Sequence, residues 1–214
     1  MDRLQLFERI NARYSALASA THSLSCGPAV RFAPLVAGQI CVDLGCGRGL
    51  DVVHMASMVG PQGAAYGVDT ADGMLERAER EALRRGLHNA HFLKCPLDAL
   101  TLPSAFADII ISTDALSHAQ SKREVLTELH RVLKPGGRFV ISDVYSLEPV
   151  PEHFREDTDA MAEGWAGAIL RHEYIATLQE LGFDALCVFE ESEPYDMGPI
   201  EVVGFTVAGQ RPLG

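Results

Sequence analysis

Ile40-Cys41-Val42-Asp43-Leu44-Gly45-Cys46-Gly47-Arg48-Gly49-Leu50-Asp51 is the stretch that decides the fold. A short apolar run closes on Asp43. Glycine then stands at every second position (Gly45, Gly47, Gly49), and an apolar, helix-compatible segment follows with Val52, Val53, Met55, Ala56 and Met58. The pattern reads as strand, tight turn, helix. Glycine lets the turn adopt positive φ and approach a ligand with no Cβ in the way. The carboxyl end of a strand is also where open α/β sheets bind ligands. A generic α/β turn, with glycines for steric reasons alone, carries the same local pattern.

Two nucleotide motifs are excluded. A G-x-G-x-x-G fingerprint needs glycine at position 50, where Leu50 stands, which argues against an NAD enzyme. No Gly-Lys-Ser/Thr follows, so the turn is not a Walker loop. An acid ending the strand just before the glycines is a different signal. Asp43-Leu44-Gly45-Cys46-Gly47-Arg48-Gly49 resembles the first motif of the class I S-adenosylmethionine (SAM) dependent methyltransferases. The resemblance implies a loop wrapped around the methionine end of SAM, with Asp43 helping to hold its ammonium.

Downstream, Gly60-Pro61-Gln62-Gly63 breaks the helix expected over 49–59, and Ala64–Asp69 forms a second strand that again ends in an acid. Asp69 lies about twenty residues past the glycine turn, the spacing at which a carboxylate meets ribose hydroxyls. The alternative is an N-cap for the helix beginning at Met74, a role Thr70 or Asp72 can also fill. A third strand over 90–94 leads into Cys95-Pro96-Leu97-Asp98. The methyltransferase resemblance places an adenine-binding aspartate where Pro96 stands here. That leaves Asp98, or the backbone around Leu97, for adenine.

Phe106–Ser112 reads as a fourth strand, apolar but for Asp108 and Ser112, as buried parallel strands largely are. It opens into Thr113-Asp114-Ala115-Leu116-Ser117-His118 at the same sheet edge. Asp114 and His118 are the ionisable candidates for catalysis there, and His118 is either a base or an ordinary surface residue. A helix over 121–133 ends in Leu133-Lys134-Pro135-Gly136-Gly137, a stop signal before a fifth strand over 138–144. That string is characteristic of the same superfamily, with a topological role. A polar, acidic stretch over 145–167 reads as a lid-like insertion. A helix over 171–181 and two strands, about 184–192 and 199–208, close the chain through a hairpin.

Residues 2–19 carry apolar side chains at helical spacing (Leu4, Phe7, Ile10, Tyr14, Leu17), in a helical segment over 1–36 that either covers the cleft or caps the domain edge. The 214 residues fit one α/β domain, and 47% apolar residues suffice for a core. A net charge of −11, without a basic cluster, argues against nucleic-acid and anionic-membrane partners. No apolar run approaches the ~18 residues of a membrane span. Five cysteines without a C-x-x-C pair point to a reducing cytoplasm.

Within the superfamily, the chain resembles the arsenite methyltransferase branch. The carriers are Leu24-Ser25-Cys26-Gly27, the Asp43–Asp51 turn, Gly67-Val68-Asp69-Thr70 and Glu163-Gly164-Trp165-Ala166-Gly167-Ala168. That branch holds arsenic through thiolates, soft ligands for a soft metalloid. At two of its cysteine positions this chain has Val52 and Gly164, so arsenite is not carried over as acceptor.

The resemblance as a whole implies a Rossmann-like class I methyltransferase fold, a seven-stranded, mostly parallel sheet with helices on both faces. It implies SAM contacts from Asp43, Gly45, Cys46, Gly47, Gly49, Asp69, Thr70, Met74, Leu97, Asp98 and Ser112. Acceptor-lining candidates are Tyr14, Thr113, Asp114, His118 and Trp165, the last either a cavity wall or core packing. No metal is expected. The expected activity is methyl transfer to an unidentified small molecule. A non-catalytic SAM sensor or partner protein and a metalloid methyltransferase are the alternatives.

Overall fold

The computed structural model describes residues 2–19 and 29–214. The Leu24-Ser25-Cys26-Gly27 carrier therefore lies outside the described residues. In chain order the elements are α1 (Arg3–Leu17), α2 (Ala29–Phe32), β1 (Ile40–Leu44), α3 (Leu50–Val59), β2 (Ala64–Asp69), α4 (Asp72–Arg84), β3 (Ala90–Lys94) and β4 (Ala107–Thr113). A 3-10 turn, Leu116–His118, then leads to α5 (Lys122–Val132), β5 (Leu133–Ser146), α6 (Glu152–Arg155), α7 (Thr158–Glu163), α8 (Arg171–Glu180), β6 (Asp184–Glu191), β7 (Tyr195–Met197) and β8 (Ile200–Gln210).

The sheet order is β3-β2-β1-β4-β5-β8-β6, with β7 paired to β8. The first five strands pair in parallel, and β8 runs antiparallel to both β5 and β6. The sheet has eight strands where the sequence predicts seven. The added one is β7, inside the link expected as a plain connection. Met197 pairs with Ile200 across a two-residue turn, and Gly198 supplies the positive φ (+62°) that such turns require.

Side chains alternate across the strands and define two cores. Val42, Leu44, Ile110, Phe139 and Ile141 face α5 and α8, packing on Val125, Leu126, Leu129, Tyr174 and Leu178. The intervening Cys41, Ile109, Ile111 and Val140 face α3, packing on Val52, Met55, Ala56 and Val59. Burial on both faces is why these strands read as continuous apolar runs.

β5 begins earlier than predicted, because α5 ends at Val132 and the next residue already joins the sheet. Ala107 pairs with Leu133 and Ile109 with Arg138, so residues 134–137 bulge between them. Arg211 donates to the carbonyls of His130 (3.0 Å) and Leu133 (2.7 Å), which satisfies acceptors at the end of α5.

Candidate active site

The three glycines of the turn all have positive φ, +79° at Gly45, +49° at Gly47 and +74° at Gly49, but they do different things. A Cβ on Gly45 would lie 2.2 Å from the Ala115 Cβ, and one on Gly49 would lie 2.6 Å from the Ala78 Cβ. Those two glycines let the turn pack against its neighbours. A Cβ on Gly47 would meet nothing within 4 Å, because it points into open space. The amides of Gly45 and Cys46 both donate to the Val68 carbonyl at 2.8 and 3.0 Å, tying the turn to β2.

Three carboxylates surround this turn. Asp69 is held by main chain. Its Oδ2 accepts from the Gly47 amide at 2.7 Å, and its Oδ1 accepts from Thr70 (2.7 Å) and Ala71 (2.9 Å). A carboxylate has about four lone-pair positions, so about one remains for a ligand, not the two that paired ribose hydroxyls would need. Asp69 does not cap α4. That helix is capped from α1: Asn11 Oδ1 accepts from the Asp72 amide and Ser15 Oγ from the Gly73 amide, each at 3.0 Å. Asp43 is 4% exposed, and its carboxylate accepts no hydrogen bond from the described residues. Burial pushes its pKa well up, and the charges of Asp51 and Asp69 push it further the same way. A buried acid with no donor is complementary to a cation.

These groups open into one cavity of about 930 Å³, at the upper end of the ~300–1,000 Å³ usual for ligand pockets. Its walls include Asp43, Gly45, Cys46, Gly47, Asp69, Thr70, Met74, Leu97, Asp98, Thr113, Asp114 and His118. The opposite wall is α1, through Leu4, Leu6, Phe7, Ile10 and Tyr14. Of the two expectations for the N-terminal helix, covering the cleft is the one realised. Ion pairs fasten α1 around the cavity: Arg3 with Asp98 at 2.5 Å, Arg9 with Asp159, and Arg13 with Glu163 at 3.7 Å. Thr113 Oγ1 is buried with no partner among the described residues. Open space over Gly47, together with an Asp43 and a Thr113 hydroxyl that lack partners among the described residues, fits a polar, cationic ligand in this cavity.

A sequence model described as "Methyltransferase domain" matches residues 35–191. The chain belongs to the SAM-dependent methyltransferases. It is 32% identical over 170 residues to an arsenite methyltransferase of Halobacterium salinarum, a match spanning 79% of this chain and 44% of that protein. It is 31% identical over 137 residues to a demethylmenaquinone methyltransferase of Geobacillus stearothermophilus, spanning 62% and 58%. Among solved structures, an arsenic(III) S-adenosylmethionine methyltransferase from Chlamydomonas reinhardtii superposes with a TM-score of 0.73 at 27% identity, covering 94% of this chain and 74% of that one. The chain spans less than half the length of the Halobacterium protein.

Three of the predicted site residues of this methyltransferase do not line the cavity. Gly49 is the N-cap position of α3, where side-chain space is taken by Ala78 and Phe92. Ser112 is fully buried and donates to the Leu44 carbonyl at 2.7 Å, pinning β4 to β1. Trp165, 6% exposed, packs with Leu6, Met161 and Ala166 behind α1, and its indole N–H donates to Glu163 at 2.9 Å. It is core, not cavity wall.

His118 lines the cavity, but its ring is held on both sides. Nε2 lies 2.8 Å from the Tyr14 hydroxyl and Nδ1 3.2 Å from the Met161 carbonyl. Burial pulls its pKa down to about 4. Part of the ring reaches the cavity, while Tyr14 and α7 desolvate the rest. It is not an ordinary surface residue, and a neutral, doubly bonded imidazole is poorly set up as a free base. Asp114 sits in the left-handed region (φ +51°), with its amide donating to the Ser142 carbonyl at 2.8 Å.

The sequence reading missed Arg3, Leu6, Val30, Leu50 and Gln120 as cavity-lining residues. The apolar stripe read over residues 2–19 includes neither Arg3 nor Leu6, although both belong to α1. The arsenite-branch cysteine positions are closed in space as well as in sequence. Val52 is fully buried, and a Cβ on Gly164 (φ +92°) would lie 2.7 Å from the His118 ring. Of the described cysteines only Cys46 reaches the cavity, and burial pushes its thiol well above the usual range.

Proposed function

We propose that this protein transfers the methyl group of SAM to a small organic molecule in the cavity between the glycine turn and α1. The observation that carries the reading is the buried Asp43, with no donor among the described residues, beside the open face of Gly47. SAM, when bound, supplies an electrophilic methyl group. The chain then needs to hold its ammonium, fix the nucleoside and keep water out. Asp43 suits the ammonium, Asp69 one ribose hydroxyl, and the Pro96–Asp98 turn the adenine. Alignment of two bound molecules in an enclosed site can supply a large share of a rate enhancement. We take α1, with the 147–170 segment packed behind it, as the cover of that site.

An organic acceptor is favoured over a metalloid by the thiols of the described residues. Metalloid ligation calls for converging thiolates. Here His118 occupies the space over Gly164, and the Cys46 thiol is held protonated by its surroundings.

The ribose assignment has a direct test. Asp69→Ala should weaken SAM binding by ~1.5–3 kcal/mol, the range for a hydrogen bond to a charged group. It should also lower the stability of the free protein, because three amides lose their acceptor. Calorimetric titration reads the first effect and thermal unfolding without ligand the second. Unchanged SAM affinity would remove Asp69 from the cofactor site.

A further inference from the structure

The proton positions around His118 are set by the neighbour that has none to give. The Met161 carbonyl can only accept, so Nδ1 carries the ring proton. The ring is neutral, which leaves Nε2 a bare acceptor. The Tyr14 hydroxyl, 2.8 Å away, therefore donates to it. With its one proton committed, the Tyr14 oxygen offers other neighbours only lone pairs. The Arg13 guanidinium, which has only donors, acts on the same hydroxyl and can use one of those lone pairs. One acceptor position stays available on a side chain that lines the cavity.

Much of the cavity wall beyond that position is apolar, while the charges of Asp69 and Asp114 act on Tyr14 itself. Leu4, Leu6, Phe7 and Ile10 of α1 face Val30 and Leu50 across the cavity. Leu4 and Leu50 are 62% and 59% exposed, so the cavity rim carries apolar surface open to a ligand.

We propose that the acceptor is an apolar, ring-bearing molecule whose reacting group is a hydrogen-bond donor, a phenolic or enolic O–H, and that Tyr14 selects it. His118 is the positioning residue that turns the Tyr14 proton away from the cavity. This rests on the cofactor reading above, since the acceptor shares the cavity with SAM.

The test uses two probes of one shape, 1-naphthol and 1-methoxynaphthalene, titrated into the 214-residue chain saturated with S-adenosylhomocysteine. The wild type should bind the naphthol about tenfold more tightly, the value of one hydrogen bond of ~1.4 kcal/mol. Tyr14→Phe should remove that preference by weakening the naphthol alone. His118→Phe should also shrink it, but by strengthening the methoxy compound, because Tyr14 regains a proton to donate. A role for His118 in packing alone would weaken both probes together. Equal binding of both probes, binding of neither, or a preference that survives Tyr14→Phe would overturn the proposal and leave the cofactor reading intact. Failure of S-adenosylhomocysteine itself to bind would overturn both.

Discussion

Asp43→Asn should make the free protein more stable and its hold on SAM weaker. The wild-type carboxylate is buried beside Asp51 and Asp69 with no donor among the described residues. Above its raised pKa the wild-type carboxyl is charged, and a neutral amide of the same shape then removes a desolvation penalty of at least the ~1–3 kcal/mol of a buried polar group. For a chain of this size each kcal/mol raises Tm by ~2–4 °C. Affinity moves the other way. Losing a charge-assisted contact to an ammonium costs about 1.5–3 kcal/mol, or more than tenfold in Kd. Thermal scans with and without SAM measure both effects. A variant that is less stable yet binds SAM as the wild type does would refute this role for Asp43.

The same carboxyl predicts a pH dependence. Its folded-state pKa is raised, by burial first and by its acidic neighbours second. Between the ordinary aspartate value, ~3.9, and its own elevated one, the folded protein keeps a proton that the unfolded chain has lost. Its contribution to stability therefore falls as pH rises through that window. A bound cation favours the ionised form, so SAM binding should release a proton and weaken as pH falls. Calorimetry in two buffers of different ionisation enthalpy counts that proton. No buffer dependence anywhere between the ordinary aspartate value and the elevated one would contradict the assignment.

Asp143→Ala should be the most destabilising single change outside the strands' apolar core. Lys122 Nζ lies 3.2 Å from Asp143 Oδ2, and their side chains are 3% and 0% exposed. The ammonium stands 5.6 Å from the centre of the Tyr174 ring, and the other Asp143 oxygen accepts from the Val144 amide at 2.9 Å. Breaking a buried pair from one side leaves an uncompensated charge, at about 3–5 kcal/mol. Removing both charges with Lys122→Met and Asp143→Leu should recover most of that loss, because the pair's own desolvation offsets much of its attraction. Urea unfolding distinguishes the two variants. A single variant within ~1 kcal/mol of wild type, against the 3–5 expected, would mean that water reaches the Lys122 ammonium.

What the sequence makes legible follows from how local each signal is. The glycine turn, Asp43 and Asp69 are contiguous patterns with one backbone solution, and the structure puts all of them except Gly49 on the cavity. Strand positions along the chain follow from apolar runs and from the Pro-Gly-Gly stop. The errors arise where partners are distant in sequence. Asn11 and Ser15 cap a helix about sixty residues away, so Asp69 looked like a competing cap. His118 is desolvated by Tyr14 and Met161, 104 and 43 residues off, which no local pattern reports. Trp165 sits in an amphipathic segment whose inner face could be assigned only once α1 was seen to lie over it.

The most direct test of the central claim is the crystal structure of the complex with S-adenosylhomocysteine. The account predicts the amino acid end against Gly47 with its ammonium toward Asp43, a ribose hydroxyl on Asp69, and the base beside Leu97. Density for the nucleoside outside this cavity, or an ammonium paired with another acid while Asp43 stays unpartnered, would contradict it.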